Sequence, residues 1–154
     1  NQTIDDLNGD SKTGALPVFQ PTDGWAQGNT CIGCRVNNTI ADVHKAFDGT
    51  WHDSTYHPGQ PDRVITMSFN GTAVWAYTLL ANQIAWTTTM TNLSFSVDGV
   101  HKSVFTHNPD TTTDILYQQQ VFSMSGLQLK PHTLEIRATG TDASLILFDY
   151  VMYT

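Results

Sequence analysis

The chain has 154 residues, of which 14% are charged, with a net charge of −7 and only 7 basic side chains. That length suits one domain with its own core, spanning 1–154. The scattered Lys and Arg form no basic footprint of the kind that displaces counterions from a phosphate backbone, which excludes nucleic acid, and no apolar run reaches the roughly 20 residues that span a bilayer.

The first sixty residues are rich in Gly, Pro, Asn and Asp and are expected to wrap as loops, with short strands near Ile4 and Val18. Neither a signal peptide nor an initiating Met is present, so Asn1 reads as a processed or trimmed start. Cys31 and Cys34 are the only cysteines. A thioredoxin-like βαβ context is missing and a closed zinc site would need further ligands, so a local disulfide is the expected state in a secreted chain. The best helical candidate is the short 39–46 stretch. It is followed by a loop in which Trp51, His52, Tyr56 and His57 crowd beside Asp48, Gly49 and Asp53.

From residue 60 onward the pattern is β. Residues 63–69 alternate apolar and polar, Asn70-Gly71 predicts a hairpin turn, and 72–80 return as the partner strand. A strand over 92–97, a turn at Asp98-Gly99 and a strand over 102–106 come next. Strands over 115–124, 132–138 and 144–153 complete the series. No segment sustains helical periodicity. The predicted fold is all-β, an antiparallel β-sandwich of jelly-roll type. Asn37-Asn-Thr, Asn70-Gly-Thr and Asn92-Leu-Ser fit the N-glycosylation pattern, as does Asn1-Gln-Thr, and point to a secreted or cell-surface glycoprotein.

Glycosidic hydrolysis calls for two carboxyls flanking the scissile bond. Glu135 is the only glutamate and falls in the exposed register of its strand, leaving Asp48 and Asp53 as the tempting pair. A turn at Asp48-Gly49 and a capping role for Asp53 are the better reading of those two. There is no Gly-x-Ser-x-Gly elbow. His52, His57 and Asp53 could hold a transition metal, against the simpler reading of solvated loop histidines. Aromatics beside polar groups make the stronger theme. Sugar C–H faces stack on rings while hydroxyls need Asp, Asn, His or Arg nearby, and the Trp51 loop supplies both. Trp51 and Trp25 could instead plug the end of the core, and Trp75 and Tyr77 share one face of a strand and read as core.

The segments Phe47-Asp-Gly-Thr-Trp-His-Asp-Ser-Thr-Tyr-His57, Pro131-His-Thr-Leu-Glu-Ile136 and Leu147-Phe-Asp-Tyr-Val-Met-Tyr153 resemble a group of basidiomycete extracellular domains. In that group the domain often precedes a Ser/Thr-rich stalk and a membrane span, and the resemblance runs from Ile4-Asp-Asp6 to Tyr153. More distantly, the ends are similar to the galactose-binding-like jelly rolls that include many carbohydrate-binding modules. There, an acidic residue of the first strand and an Asp of the last often hold a structural calcium. The resemblance implies Asp5 or Asp6 with Asp149 in that role, although this chain has adjacent aspartates where those modules often have Glu-x-Glu.

The expectation is a secreted or cell-surface carbohydrate-binding module without catalysis. Its partner would be a glycan or cell-wall polysaccharide, bound by Trp51, His52, Tyr56 and His57, with Trp25 supporting and Asp48 and Asp53 accepting sugar hydroxyls. The alternatives are a glycan-active hydrolase or lyase, and a structural or adhesive ectodomain that binds protein partners. Burial of Trp51 would favour the last.

Overall fold

The computed structural model describes every residue, Asn1–Thr154. Its strands are β1 (Gln2–Asp5), β2 (Gly9–Asp10), β3 (Val18–Gln20), β4 (Ala26–Gln27), β5 (His52–Tyr56), β6 (Arg63–Ala81), β7 (Thr91–Val97), β8 (Val100–His107), β9 (Ile115–Ala138) and β10 (Ser144–Tyr153). All pairings are antiparallel. No helix is long and apolar enough to cross a membrane.

Two layers form because β6 and β9 run as one long ribbon through both of them. The first half of β6 pairs with β3 and with the end of β9, which continues to β7 and β8. The second half of β6 pairs with the start of β9 and with β10; the far edge of β10 carries β1 at one end and β5 at the other. Inward residues of both layers meet in one core: Ile65, Met67 and Phe69 with Leu93, Phe95, Leu134 and Ile136 from the first, Val74, Ala76, Phe122, Ile146, Phe148 and Val151 from the second. This is the predicted sandwich.

β10 is buried on both faces. Ile146 and Phe148 point into the sandwich, whereas Leu145 and Leu147 point outward into a second apolar cluster with Val36, Ala41, Ala46, Trp51, Leu79 and Ala81. The chain between β4 and β5 is therefore a third, partial layer laid over the outer face of β10. The β10–β6 register shifts between Phe148 and Tyr150, so Asp149 is an extra residue and the inward positions become Val151 and Tyr153.

Three expectations need correction. Asn70-Gly71 is no hairpin: β6 passes straight through it. Gly71 is demanded instead by a close approach, since an added Cβ would collide with the carbonyl of Thr154, which accepts from Thr72 N at 2.5 Å. Similarly, 115–138 is one strand, with the residues after Ser125 bulging out before Lys130 pairs with Gly71. The helical candidate is two 3₁₀ turns, Val43–Lys45 and Phe47–Gly49. Asp42 caps the first by accepting from His44 N, and positive φ at Asp48 and Gly49 ends the second. Asp98-Gly99 is the turn predicted, with φ of 54° and 75° joining β7 to β8 in the form that hairpin twist favours.

Candidate functional site

The Trp51 loop is anchored to the fold and does not form an open site. Trp51 is 0% exposed. Gly28 lies flat against its indole, so that any Cβ there would overlap the ring, and Gly28 N donates to Trp51 O at 2.7 Å. Tyr56 is buried in the sandwich core with its hydroxyl donating to Gly140 O. Trp25 is half-buried on Phe19, its Nε1 donating to Gln20 O. These three rings offer no common groove, which corrects the assignment of Trp51, Tyr56 and Trp25 to a ligand patch. The physical reason is that the outer face of β10 is apolar and needs a cover.

The polar members of the loop separate. His52 stacks on Phe19 at 3.9 Å and pairs through Nδ1 with Asp6 Oδ2 at 2.7 Å. His57 is exposed, as is Asp48. Asp53 lies on β5 opposite Ala26 and Leu147, where burial pushes its carboxyl up to about 7. Asp48 and Asp53 share no hydrogen bond, and Glu135 is paired with Arg137, which also binds Asp62.

Asp5, Asp6 and Asp149 do come together where β1 meets the β10 bulge. Asp6 N donates to Asp149 O at 3.1 Å. The three carboxyls are unequally committed. Asp6 accepts from Thr50 Oγ1 and Gln27 Nε2 as well as pairing with His52. Asp149 takes Phe47 N on both oxygens. Asp5 Oδ2 accepts from Leu7 N and Asn8 N, but its buried Oδ1 has no partner. Burial, followed by the nearby Asp6, Asp5 and Asp48 charges, pushes Asp149 up to about 8. No group of three His, Cys, Asp or Glu stands in a ready-made ligating arrangement. The donor chemistry suits a hard cation, with Asp5 Oδ1 the one oxygen free to take it.

The outer face of the second layer carries Trp75 and Tyr77, half-buried there and not in the core as expected. Tyr77 stacks on Tyr150 with centroids 4.6 Å apart, and Phe47 stacks on the other side of Tyr150 at 4.4 Å. Rings stacked on each other spend their faces internally, so this ladder clamps the 3₁₀ turn to the sheet.

One aromatic is free. Trp86, between β6 and β7, is 96% exposed on a residue with φ of 60°. It borders a cleft of about 440 Å³ lined also by Ile32, Arg35, Asn37, Thr39, Ile40 and Ile84. Adjoining depressions add Asn38 on one side and Gln83 on the other. The loop that faces Trp86 is fastened locally. Cys31 and Cys34 form the expected disulfide, with sulfurs 2.06 Å apart, and Asn37 Nδ2 donates to Cys34 O while its Oδ1 accepts from Thr39 N and Oγ1. On the Trp86 side, buried Asn82 donates to Asp114 O and accepts from Asp110 N, and Gln83 N donates to Thr112 O. Trp86 is not among the residues that the sequence pattern marks as a ligand patch. Its signal was a lone Trp in the polar run Ala85-Trp-Thr-Thr-Thr89, with no alternating apolar partner to place it in a strand.

No protein-family model matches the chain, and no curated protein matches it in sequence. Solved structures do. A segment of a Paenibacillus sp. cycloisomaltooligosaccharide glucanotransferase complexed with cycloisomaltoheptaose superposes with a TM-score of 0.55 and 13% identity, over 84% of this chain. This chain spans only 16% of that enzyme's length. A native family 35 carbohydrate binding module from Clostridium thermocellum matches over 91% of this chain and 100% of its own, with 11% identity and a TM-score of 0.47. The glucanotransferase likeness is one of fold.

Proposed function

We propose that the chain is a non-catalytic carbohydrate-binding module, and that it binds through the Trp86 cleft. The observation that carries this reading is a Trp with both faces in solvent, held over a cleft whose rim carries Asn38, Thr39 and Gln83. A pyranose C–H face stacks on such a ring, and its hydroxyls find amide and hydroxyl partners beside it. Jelly rolls host many functions, so the fold alone would not support this. The disulfide and the sequons at Asn37, Asn70 and Asn92 support a secreted or cell-surface glycoprotein, with Asn70 the exposed acceptor. The resemblance of 47–57, 131–136 and 147–153 to basidiomycete extracellular domains makes fungal wall polysaccharides the first ligands to try, followed by plant wall glycans.

The test is binding to a glycan array and to immobilised wall polysaccharides. Trp86→Ala should weaken binding about 30-fold, ~2 kcal/mol, as expected for an aromatic hot spot. Absence of binding to all wall glycans, or equal binding by Trp86→Ala, overturns the proposal. A second reading, an adhesive ectodomain that uses the same end for protein contact, is favoured by the burial of Trp51 and by Ile32 and Ile40, 99% and 48% exposed beside Trp86. It predicts a concentration-dependent dimer in light scattering, lost in Ile32→Ser.

We also propose a structural calcium at Asp5 and Asp149. The orphaned, buried Asp5 Oδ1 supports it. The cation would tie β1 to the β10 bulge, and Asp6, already paired with His52 and Thr50, would be a neighbour of the ion.

A further inference from the structure

We infer that the ligand of the Trp86 cleft is an anionic glycan, held by Arg35 through a carboxylate. The inference rests on the carbohydrate reading above and narrows it. Arg35 is the only charged residue lining the cleft, and none of the 14 acidic residues of the chain lines either adjoining depression. Its guanidinium is also uncommitted. Arg63 donates to Ser54 Oγ, Pro61 O and Gln60 Oε1, and Arg137 is shared between Glu135 and Asp62. Arg35, exposed on the residue after the disulfide, makes no hydrogen bond and no ion pair. The fold thus fixes two arginines and leaves the third free at the one place where a ring face is also free.

The chemistry of those two groups defines a ligand. A guanidinium presents paired N–H donors that match a carboxylate bidentately, and an indole face takes the C–H side of a pyranose. A uronic acid carries both features on one ring. A sulfated sugar offers the same anionic oxygens, so the experiment must separate the two. The net charge of −7 opposes a polyanion at long range, so the attraction is local and screened by salt. That also explains why composition gave no hint of it.

Binding would be measured by isothermal calorimetry on the whole chain with oligogalacturonate, glucuronoxylan oligosaccharides, their carboxyl-reduced counterparts and a sulfated galactan oligosaccharide. The expected result is uronate binding that falls about tenfold on carboxyl reduction and about tenfold in Arg35→Ala, an amount equal to ~1.4 kcal/mol. Arg35→Lys should recover part of the loss, and raising the salt should weaken the wild type more than Arg35→Ala. Preference for the sulfated ligand, with the same dependence on Arg35, would replace carboxylate by sulfate and overturn the uronate assignment. If Trp86→Ala abolishes binding but Arg35→Ala and carboxyl reduction change nothing, the anionic inference fails while the carbohydrate reading stands. If neither the uronate nor the sulfated ligands bind while neutral wall glycans do, the anionic inference alone fails; if no wall glycan binds at all, both fail.

Discussion

Trp51 is enclosed by Val36, Ala46, Leu79 and Leu147, and its Nε1 donor is buried without a partner. Two opposing terms follow. Its ring excludes water from the outer face of β10, while its unpaired N–H costs about 1–3 kcal/mol. Trp51→Ala should therefore destabilise the protein by about 3–5 kcal/mol in urea unfolding, and Trp51→Phe, which removes the orphan donor and keeps an aromatic ring, by clearly less. Gly28→Ala drives a methyl into the same indole and should cost about 1–3 kcal/mol. Glycan binding by any of these that stays folded should match the wild type; loss of binding in Trp51→Phe would restore the loop as a site. Trp86 shows the converse case of the same side chain, spending nothing on the core.

Strands β7 and β8 are held to the β9 bulge by His132, whose Nδ1 pairs with Asp98 Oδ2 at 2.7 Å and whose Nε2 pairs with Gln128 O at 2.8 Å. Both partners are acceptors, so the ring is satisfied only as an imidazolium. The Asp98 hydrogen bond, followed by the Gln128 carbonyl, holds its pKa above the ordinary 6.5, while the His132 and Thr133 hydrogen bonds hold Asp98 below 3.8. A histidine raised by folding adds stability that is complete below about 6.5 and lost as pH rises through its folded value. An aspartate lowered by folding adds stability that is complete above its ordinary value and lost as pH falls. The clasp's own contribution should thus be greatest between these limits. Buried Asp53 and Asp149, raised to about 7 and about 8, lower stability as pH rises from about 4 in wild type and variant alike. The measure is therefore the difference between wild type and His132→Gln, which should shrink as pH rises above about 6.5; a difference independent of pH would show the clasp to be uncharged. The same elements show what a sequence reveals. The alternation of Leu93, Phe95 and Val97 is local and marked β7 directly. Asp98-Gly99 and Asn70-Gly71 carry the same turn signal, yet only the first is a turn. What distinguishes them is Thr154, more than 80 residues from Gly71 in sequence, whose carbonyl occupies the space of the missing side chain.

For the whole molecule, the two ends of the sequence and the loop end of the sandwich behave as separate regions. Calcium at Asp5 and Asp149 would fasten β1 to β10, and a saturating excess over the dissociation constant is worth ~2–3 kcal/mol, or a rise in Tm of about 4–12 °C over the protein in chelator. Asp149→Asn should abolish that rise, and an unchanged Tm in the wild type would remove the cation. These acidic residues were marked in the sequence only by the resemblance of the chain ends to galactose-binding-like modules; the β1–β10 pairing is what brings them together in the fold. The Trp86 cleft was not visible, because it joins 32–40 to 83–86 through contacts that no local pattern encodes, and because its loops obey no periodicity. The sequence signal led instead to Trp51, where aromatic and polar residues are dense because they cover β10. The separation of cover from cleft leads to a final test. The Cys31–Cys34 bridge closes a loop of only a few residues, so its chain-entropy contribution is small, about 2 kcal/mol. It belongs to neither apolar cluster, whereas Ile32, Cys34 and Arg35 all line the cleft. Replacing both cysteines by serine should leave the sandwich folded, with at most that loss of stability. It should nonetheless weaken glycan binding, because the arm carrying Arg35 loses its fixed position opposite Trp86. Equal losses of stability and binding from a domain unfolding as a unit would show the bridge to support the sandwich, while intact affinity in the double variant would place the ligand elsewhere on the surface.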